Sequence, residues 1–372
     1  MTHAALTESA RMILDSAIEF AEGSGGALRA RVMRDKFTQL DRRTWQQILG
    51  LGWPLVAVAE EHGGLALGMD CMAALAEGTS RMLLPEPLMA NVVGAALLSA
   101  CAANPGNGGN GGNAQAAGHA AHALLAELMD GARLAVPVFP VTRGKAPLLL
   151  KHVPDCYAGA TLLLAKDNAK RFCIRAIPID TAGVTLQSAA CVDGSMLSDV
   201  EVTAPAWDGA VTIAEGSGAR AAFALAHDSL LISYAAALVG VMDEALQQTI
   251  EYMKVRQQFG TPIGAFQALQ HRAASCHVEI QAARALVYEA CKATEPALRA
   301  KAAIAAKARA SAAGLRVTKE CVQFHGAIGF ADEHNIGLYL KKAMALSARL
   351  GGEAQQRARY AALLAAGDAS HH

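Results

Sequence analysis

Apolar residues recur at helical spacing at both ends of the chain and at strand-like spacing in its middle. In Ala10–Phe20 the positions Met12, Ile13, Ala17 and Phe20 fall close to a 3.6-residue period, which predicts a helix. Asp41–Leu51 repeats the pattern, and Gly52 then Pro54 mark its end. Met69–Ser80, after the glycine-rich turn His62–Gly68, reads as helical again. The stretch Asn104–Asn113 contains PGNGGNGGN, has no apolar side chain to bury, and is expected to be a surface loop between two helices.

The texture changes near Ala135. LAVPVFPV, ATLLLA, RFCIRAIPI and VTLQS are short β-type runs separated by turn residues such as Lys166–Asn168 and Asp193–Gly194. From about Ala219 the chain turns helical to its end. Ala235, Val239, Met242, Leu246, Ile250 and Met253 form one apolar stripe, and Ala273, Cys276, Ile280, Ala283, Val287 and Ala290 form another. A third long, alanine-rich helix is predicted from about Ala297 to about Phe324. The fold class is therefore mainly α with a central β domain. The expected domains are helical over 1–132, β over 133–212, and a helical bundle over 213–372.

Composition narrows the function classes. The 372 residues include 53% hydrophobic ones, enough for a large core in two or three domains. Lys plus Arg equals Asp plus Glu at 33 each, so no broad electrostatic footprint for nucleic acid or an anionic membrane is expected. The 8 cysteines form no CxxC pair and no zinc-type cluster with histidine, so they read as free thiols in a reducing compartment, with no metal. Neither a signal peptide nor a membrane span is expected from the sequence, which points to a cytoplasmic protein. His325 and His334 read as core or helix-end histidines, and His371 and His372 as a tail.

Four segments carry a resemblance. RQQFGTPIGAFQALQHR (Arg256–Arg272), QFHGAIGF (Gln323–Phe330), EEHGGLALG (Glu60–Gly68) and CVDGSMLSDVEV (Cys191–Val202) resemble, in order, elements of the acyl-CoA dehydrogenase family. They span almost the whole chain, and the similarity is greatest to short bacterial members that work as one subunit of a two-subunit enzyme. The resemblance implies the family's fold: an N-terminal helical domain, a small β barrel and a C-terminal four-helix bundle. It also implies FAD as cofactor, an acyl-CoA substrate, and electron-transfer flavoprotein or a similar electron acceptor. A homo- or hetero-oligomer, dimer or tetramer, follows because the family holds each FAD across a subunit interface.

Residue by residue, the resemblance carries cofactor contact onto Arg256, Phe259, Ile263, Phe266, Gln267, Gln323, Gly326 and Ala327. The chemistry suits these types. Arg offers a planar fork of donors to pyrophosphate. Phe offers an apolar face to adenine. Gln donates to phosphate or ribityl oxygens, and glycines at 326 and 329 let backbone amides approach an anion. Gly260 and Pro262 are expected to make the sharp turn that ends the helix.

The family's reaction needs a carboxylate that takes the α-proton of the thioester. Spacing from Phe330 puts the usual base position at Leu350; the alternative helical position is Leu230, and a third is Ala237. The nearest acids, Asp228 and Glu353, are out of register and read as solvated helix-end carboxylates. The polar stretch that contacts flavin and thioester in the family corresponds to Ala135–Gly144, without its polar residues. Three functions remain open: α,β-dehydrogenation of an acyl-CoA thioester as one subunit of an oligomer, a catalytically degenerate structural partner, or a flavoenzyme of nitroalkane oxidase or monooxygenase type.

Overall fold

A computed structural model describes residues 6–37, 39–105, 111–142, 146–167 and 171–369. Asn168 of the expected turn, the centre of the Asn/Gly-rich stretch, Arg143–Gly144 and the terminal histidines lie outside the described residues.

The chain begins with helices α1 (Glu8–Gly23), α2 (Gly26–Arg34), α3 (Arg42–Gly50), α4 (Met69–Arg81), α5 (Leu88–Ala103) and α6 (Gly111–Met129). Six strands follow: β1 (Leu134–Thr142), β2 (Leu148–Pro154), β3 (Ala160–Asp167), β4 (Phe172–Pro178), β5 (Val184–Ala190) and β6 (Met196–Val202). The short α7 (Ala204–Asp208) precedes β7 (Val211–Glu215) and the long α8 (Gly216–Val255). A two-residue ladder, β8 (Gln257–Gln258) with β9 (Thr261–Pro262), leads into α9 (Gln267–Lys292) and α10 (Pro296–His325). The chain closes with α11 (Ala327–Phe330), α12 (Ile336–Ala348) and α13 (Glu353–Ala369). The expected mainly α architecture around central sheets is what the structure shows.

Two compact units interleave along the chain. One holds the chain up to Val32, Met69–Leu84 and the chain from Leu231; the other holds Met33–Gly68 and Pro85–Leu230. In the first, all-helical unit, α1 packs on α4, α4 on α9, and α10 on α9, α12 and α13. The two predicted stripes are its core: all twelve positions are buried except Ile250 and Ala273, which are half-buried. Gly240 is required by close approach, because a Cβ there would lie 2.0 Å from the carbonyl oxygen of Glu77 in α4. The Glu77 side chain is itself buried and accepts from Arg284 at 2.8 and 3.0 Å and from the Tyr288 hydroxyl at 3.0 Å. That buried carboxylate is thereby fully paired, as burial of a charge demands.

The second unit contains the sheets. One has strand order β1-β3-β4-β7 with β1 and β3 parallel; the other has order β2-β6-β5 and is antiparallel. Helix α5 packs on β1 so closely that a Cβ on Gly94 would meet Ala135 at 2.6 Å. The expected Asp193–Gly194 turn forms: Gly194 has φ +81°, and the Asp193 carboxylate accepts from Ser195 N–H at 3.1 Å. Strands β2, β6 and β7 escape a reading by apolar runs because each mixes buried and exposed positions.

One expectation needs correction. The Asn104–Asn113 stretch is not loop throughout, since α6 begins at Gly111. Pro105 is anchored as well: its carbonyl accepts from the Glu215 N–H at 3.0 Å. Helix α8 is long and apolar enough to cross a membrane by length and composition, but most of its apolar window is buried inside the protein. It is a core helix.

Candidate functional site

The RQQFGTPIGAFQ string folds into a small projecting device on the helical unit. Helix α8 stops at Val255, and Gln257–Gln258 pairs antiparallel with Thr261–Pro262. The two residues between them, Phe259 and Gly260, have φ +52° and +79°. Positive φ at both central positions is the type I′ hairpin geometry, whose twist matches the flanking strands. The helix therefore ends before the turn, and Phe259–Gly260 make it; the expected Gly260–Pro262 pair does not, because Pro262 sits in the ladder.

Phe259 combines two unfavourable features. A bulky side chain in the left-handed region costs on the order of 1–2 kcal/mol, and this one is 93% exposed. Its ring meets that of Phe266 edge-on, centroids 6.2 Å apart. Around it Arg256, Gln267 and Gln323 are exposed, and their side chains make no hydrogen bond or ion pair with any described residue.

The hairpin stands on its own small core. Met253, Ile263 and Phe324 are buried together, with Tyr252, Leu269 and Ala273 packed around them. Ile263 donates its N–H to the Arg256 carbonyl at 2.7 Å. Arg272 lies over the Phe324 ring at 5.0 Å and pairs with Glu320 at 2.5 Å. Phe324 neighbours Gln323 on α10, so this cluster brings the end of α8, the start of α9 and the end of α10 together. Of the eight predicted positions, Ile263 is thus a buried support, and Gly326 and Ala327 form the junction of α10 with α11. Gly326 has φ +64° and ψ −141°, a combination open essentially to glycine alone.

The two histidines are structural. His325 is buried, its Nδ1 lies 2.8 Å from the Cys321 carbonyl, and its ring stacks on Tyr252 at 4.3 Å. His334 Nδ1 accepts from Ile336 N–H at 3.2 Å at the start of α12. Burial lowers both pKa values, with the Arg31 charge acting in the same direction on His334.

The turn after α12 contains the expected base position. Leu350 is half-buried with φ +58°, and Gly351 follows at φ +102°. Its carbonyls are clamped from three sides. Lys307 Nζ, 0% exposed, donates to Ser311 Oγ at 3.0 Å, the Ser347 carbonyl at 3.0 Å and the Gly351 carbonyl at 3.3 Å. Gln356 donates to the Leu350 carbonyl at 2.7 Å, and Arg359 donates to it at 3.0 Å. Burial pushes the Lys307 pKa down to about 7, with the Arg359 charge acting in the same direction. Sequence reading missed Lys307, although a lysine inside an alanine stripe on α10 was the available signal.

No carboxylate occupies the other two base positions. Leu230 and Ala237 are both buried in α8. Glu353 opens α13, is half-buried and pairs with Arg357 at 2.7 Å. Asp228 differs from its expectation: it is buried within α8, its carboxylate 3.7 Å from His227 Nδ1, and is not a solvated helix end. In the β1 segment the polar Thr142 hydroxyl is spent on the Ala165 carbonyl at 2.8 Å.

Two family descriptions match the chain: "Acyl-CoA dehydrogenase, N-terminal domain" over residues 7–104 and "Acyl-CoA dehydrogenase, C-terminal domain" over residues 223–364. The chain belongs to the acyl-CoA dehydrogenase family. It is an acyl-CoA dehydrogenase-type flavoprotein oxidoreductase, and FAD is the cofactor of that family. Acyl-CoA dehydrogenase IpdE2 of Mycolicibacterium smegmatis is 26% identical over 360 residues, covering 95% of this chain and 98% of that protein. Acyl-CoA dehydrogenase FadE34 of Mycobacterium tuberculosis is 28% identical over 364 residues, covering 93% of this chain; the match spans 46% of its length. Among solved structures, the steroid ACAD Tcur3481–Tcur3483 superposes with a TM-score of 0.82 at 25% identity, covering 97% of this chain and 99% of that one.

Proposed function

We propose that this acyl-CoA dehydrogenase takes part in FAD-dependent α,β-dehydrogenation of an acyl-CoA thioester as one subunit of an oligomer, and that a partner chain brings the base. The observation that carries this reading is a split. The hairpin carries Arg256 and Phe259 where the resemblance puts cofactor contact, while all three base positions hold aliphatic side chains: Leu350, Leu230 and Ala237.

The residues present fit FAD at its nucleotide end. Arg256 offers pyrophosphate a guanidinium fork, and Gln323 offers phosphate or ribityl oxygens an amide, neither paired among the described residues. Phe259 offers a solvent-facing ring for adenine, and Phe266 and Gln267 flank it, while Ile263 holds the hairpin from below. The Gly326–Ala327 junction keeps Cβ bulk away: a Cβ at Gly326 would meet nothing within 4 Å, so space there is open to a ligand. When bound, FAD supplies the hydride acceptor. A projecting, strained aromatic that is 93% exposed suits a cofactor shared across an interface. The pairing of two chain names in the steroid ACAD is in keeping with a two-chain assembly. Acyl-CoA as substrate, an electron-transfer flavoprotein or similar acceptor, and a cytoplasmic location complete the proposal.

Asp228 supports a second reading, in which the chain carries its own base. It is a buried carboxylate on the helix that also carries one base position of the family. The deciding experiment is co-expression with an acyl-CoA dehydrogenase chain that has the usual glutamate, followed by turnover with acyl-CoA and an artificial electron acceptor. The partner reading expects flavin in the complex, turnover lost when the partner's glutamate is removed, and turnover retained in Asp228→Asn. Full activity of this chain alone, abolished by Asp228→Asn, would replace it with the second reading.

A further inference from the structure

In the sheet-bearing unit a buried lysine and a half-buried arginine have no carboxylate partner among the described residues. Lys166 on β3 and Arg175 on β4 share one face of the sheet, because Leu164 pairs with Arg175 and Lys166 with Cys173 in the antiparallel register. Both press on the ring of Trp207 from α7: Lys166 Nζ lies 4.9 Å from its centroid and Arg175 Cζ 4.7 Å. Trp207 is buried, and Lys166 is only 7% exposed.

Buried charges are ordinarily paired. Here they are not. The Lys166 ammonium makes no hydrogen bond or ion pair among the described residues. Arg175 donates through Nη1 to the Trp207 carbonyl, and its buried Nε has no acceptor. Two acids on the same sheet are engaged elsewhere: Glu215 with Arg171 and Asp167 with Arg220. The ring quadrupole attracts both cations but carries no net charge to neutralise them. Their field also reaches Cys173 on the same face: burial raises its thiol pKa while Arg175, Arg171 and Lys166 pull it down.

We propose that Lys166, Arg175 and Trp207 form a binding site for a phosphate group. The charge count selects the class. Two uncompensated cations match a phosphate monoester, which carries roughly −1.5 to −2 near neutral pH, better than a single carboxylate. The Arg175 Nε and the Lys166 ammonium supply charge-assisted donors that have no acceptor among the described residues. The phosphate arrives either as inorganic phosphate or as the monoester of a nucleotide. This site stands independently of the Arg256 hairpin and of the reaction proposed above.

The test uses Trp207 as reporter, since the chain has 3 tryptophans and Trp207→Phe identifies its share of the emission. Inorganic phosphate, AMP and adenosine are titrated against a sodium chloride control at equal ionic strength, in the wild type and in Arg256→Ala. The expected result is a saturable change with phosphate and AMP, none with adenosine or chloride, and the same response in Arg256→Ala. Lys166→Gln and Arg175→Gln should each weaken binding roughly ten-fold or more. Equal affinities for phosphate and AMP mark the free anion as the ligand; tighter AMP binding marks a nucleotide. A change that chloride reproduces, or one that survives in the Lys166→Gln/Arg175→Gln double variant, overturns the proposal. If those variants do not fold, the wild-type melting temperature decides: AMP must raise it above the value in adenosine, also in Arg256→Ala, and no difference overturns the site.

Discussion

The ammonium of Lys307 donates to the carbonyl of Gly351 at 3.3 Å, across from α10 to the turn after α12. With Gln356 and Arg359 on the neighbouring Leu350 carbonyl, it fixes the turn that carries Gly351 and Gly352. A clamped turn holds Glu353, the first residue of α13, at its helix end, where it pairs with Arg357.

Glu353→Gln should therefore leave partner-assisted turnover within about three-fold of wild type. The Arg357 pair it breaks is exposed and at i,i+4 spacing, so stability should fall by only about 0.3–0.5 kcal/mol. Loss of roughly 10²-fold or more in kcat would instead make Glu353 the base.

Lys307 gives the fold a pH dependence of predictable sign. Its pKa falls from an ordinary 10.5 to about 7 on burial. Between these values the unfolded chain holds a proton that the folded chain has released. Stability from this group therefore rises as pH increases through that window and is flat below it. Lys307→Met removes the slope and leaves the Ser347 and Gly351 carbonyls without their ammonium donor. Urea midpoints should show the wild type gaining on Lys307→Met from pH about 7 to about 10. A pH-independent gap would show that Lys307 stays charged in the fold.

Such features explain what could and could not be read from the sequence. Helices α4, α8, α9 and α10 were legible because each buries an apolar stripe at a helical period, and α10 was placed to within a residue or two. The hairpin residues were legible through the RQQFGTPIGAFQ string, but the strain at Phe259 was not, since φ is invisible to a motif. Lys307 was missed because its partners are backbone carbonyls about 40 residues away, and backbone acceptors leave no mark in composition. Asp228 was read as solvated because a charged residue near a helix start usually is; only burial of α8 shows otherwise.

Two glycines that look alike in sequence should behave oppositely. A Cβ at Gly240 would meet the Glu77 backbone at 2.0 Å, so α8 and α4 must separate. A Cβ at Gly314 meets only the end of the Leu238 side chain, at 2.9 Å. Gly240→Ala should cost about 1–3 kcal/mol or more. Gly314→Ala should be near neutral, since replacing a helical glycine recovers up to about 1 kcal/mol. Equal melting temperatures for the two variants would contradict this packing.

Removing Asn104–Asn113 should destabilise the sheet-bearing unit despite its composition. The deletion takes away the Pro105 carbonyl that accepts from Glu215 N–H, and with it the first residues of α6. A loss of roughly 1–3 kcal/mol is expected from the orphaned amide alone. An unchanged melting temperature would show that β7 finds another acceptor.

Phe259 and Arg256 should separate stability from cofactor binding. Phe259 holds a left-handed φ of +52° at a turn position that glycine occupies without strain, and its exposed ring gives almost nothing back to its own chain. Phe259→Gly should therefore stabilise the flavin-free protein by up to about 1 kcal/mol, because the strain is relieved while little packing is lost. The same variant should lose flavin, since the apolar face for adenine is gone. Arg256→Ala should also lose flavin, by roughly ten-fold or more in affinity, with no gain in stability, because Arg256 has no described partner and no strained backbone. Flavin absorbance per chain and the melting temperature of the stripped protein measure both effects. If Phe259→Gly keeps its flavin and melts lower than wild type, the ring packs within its own chain and the hairpin is not a cofactor arm.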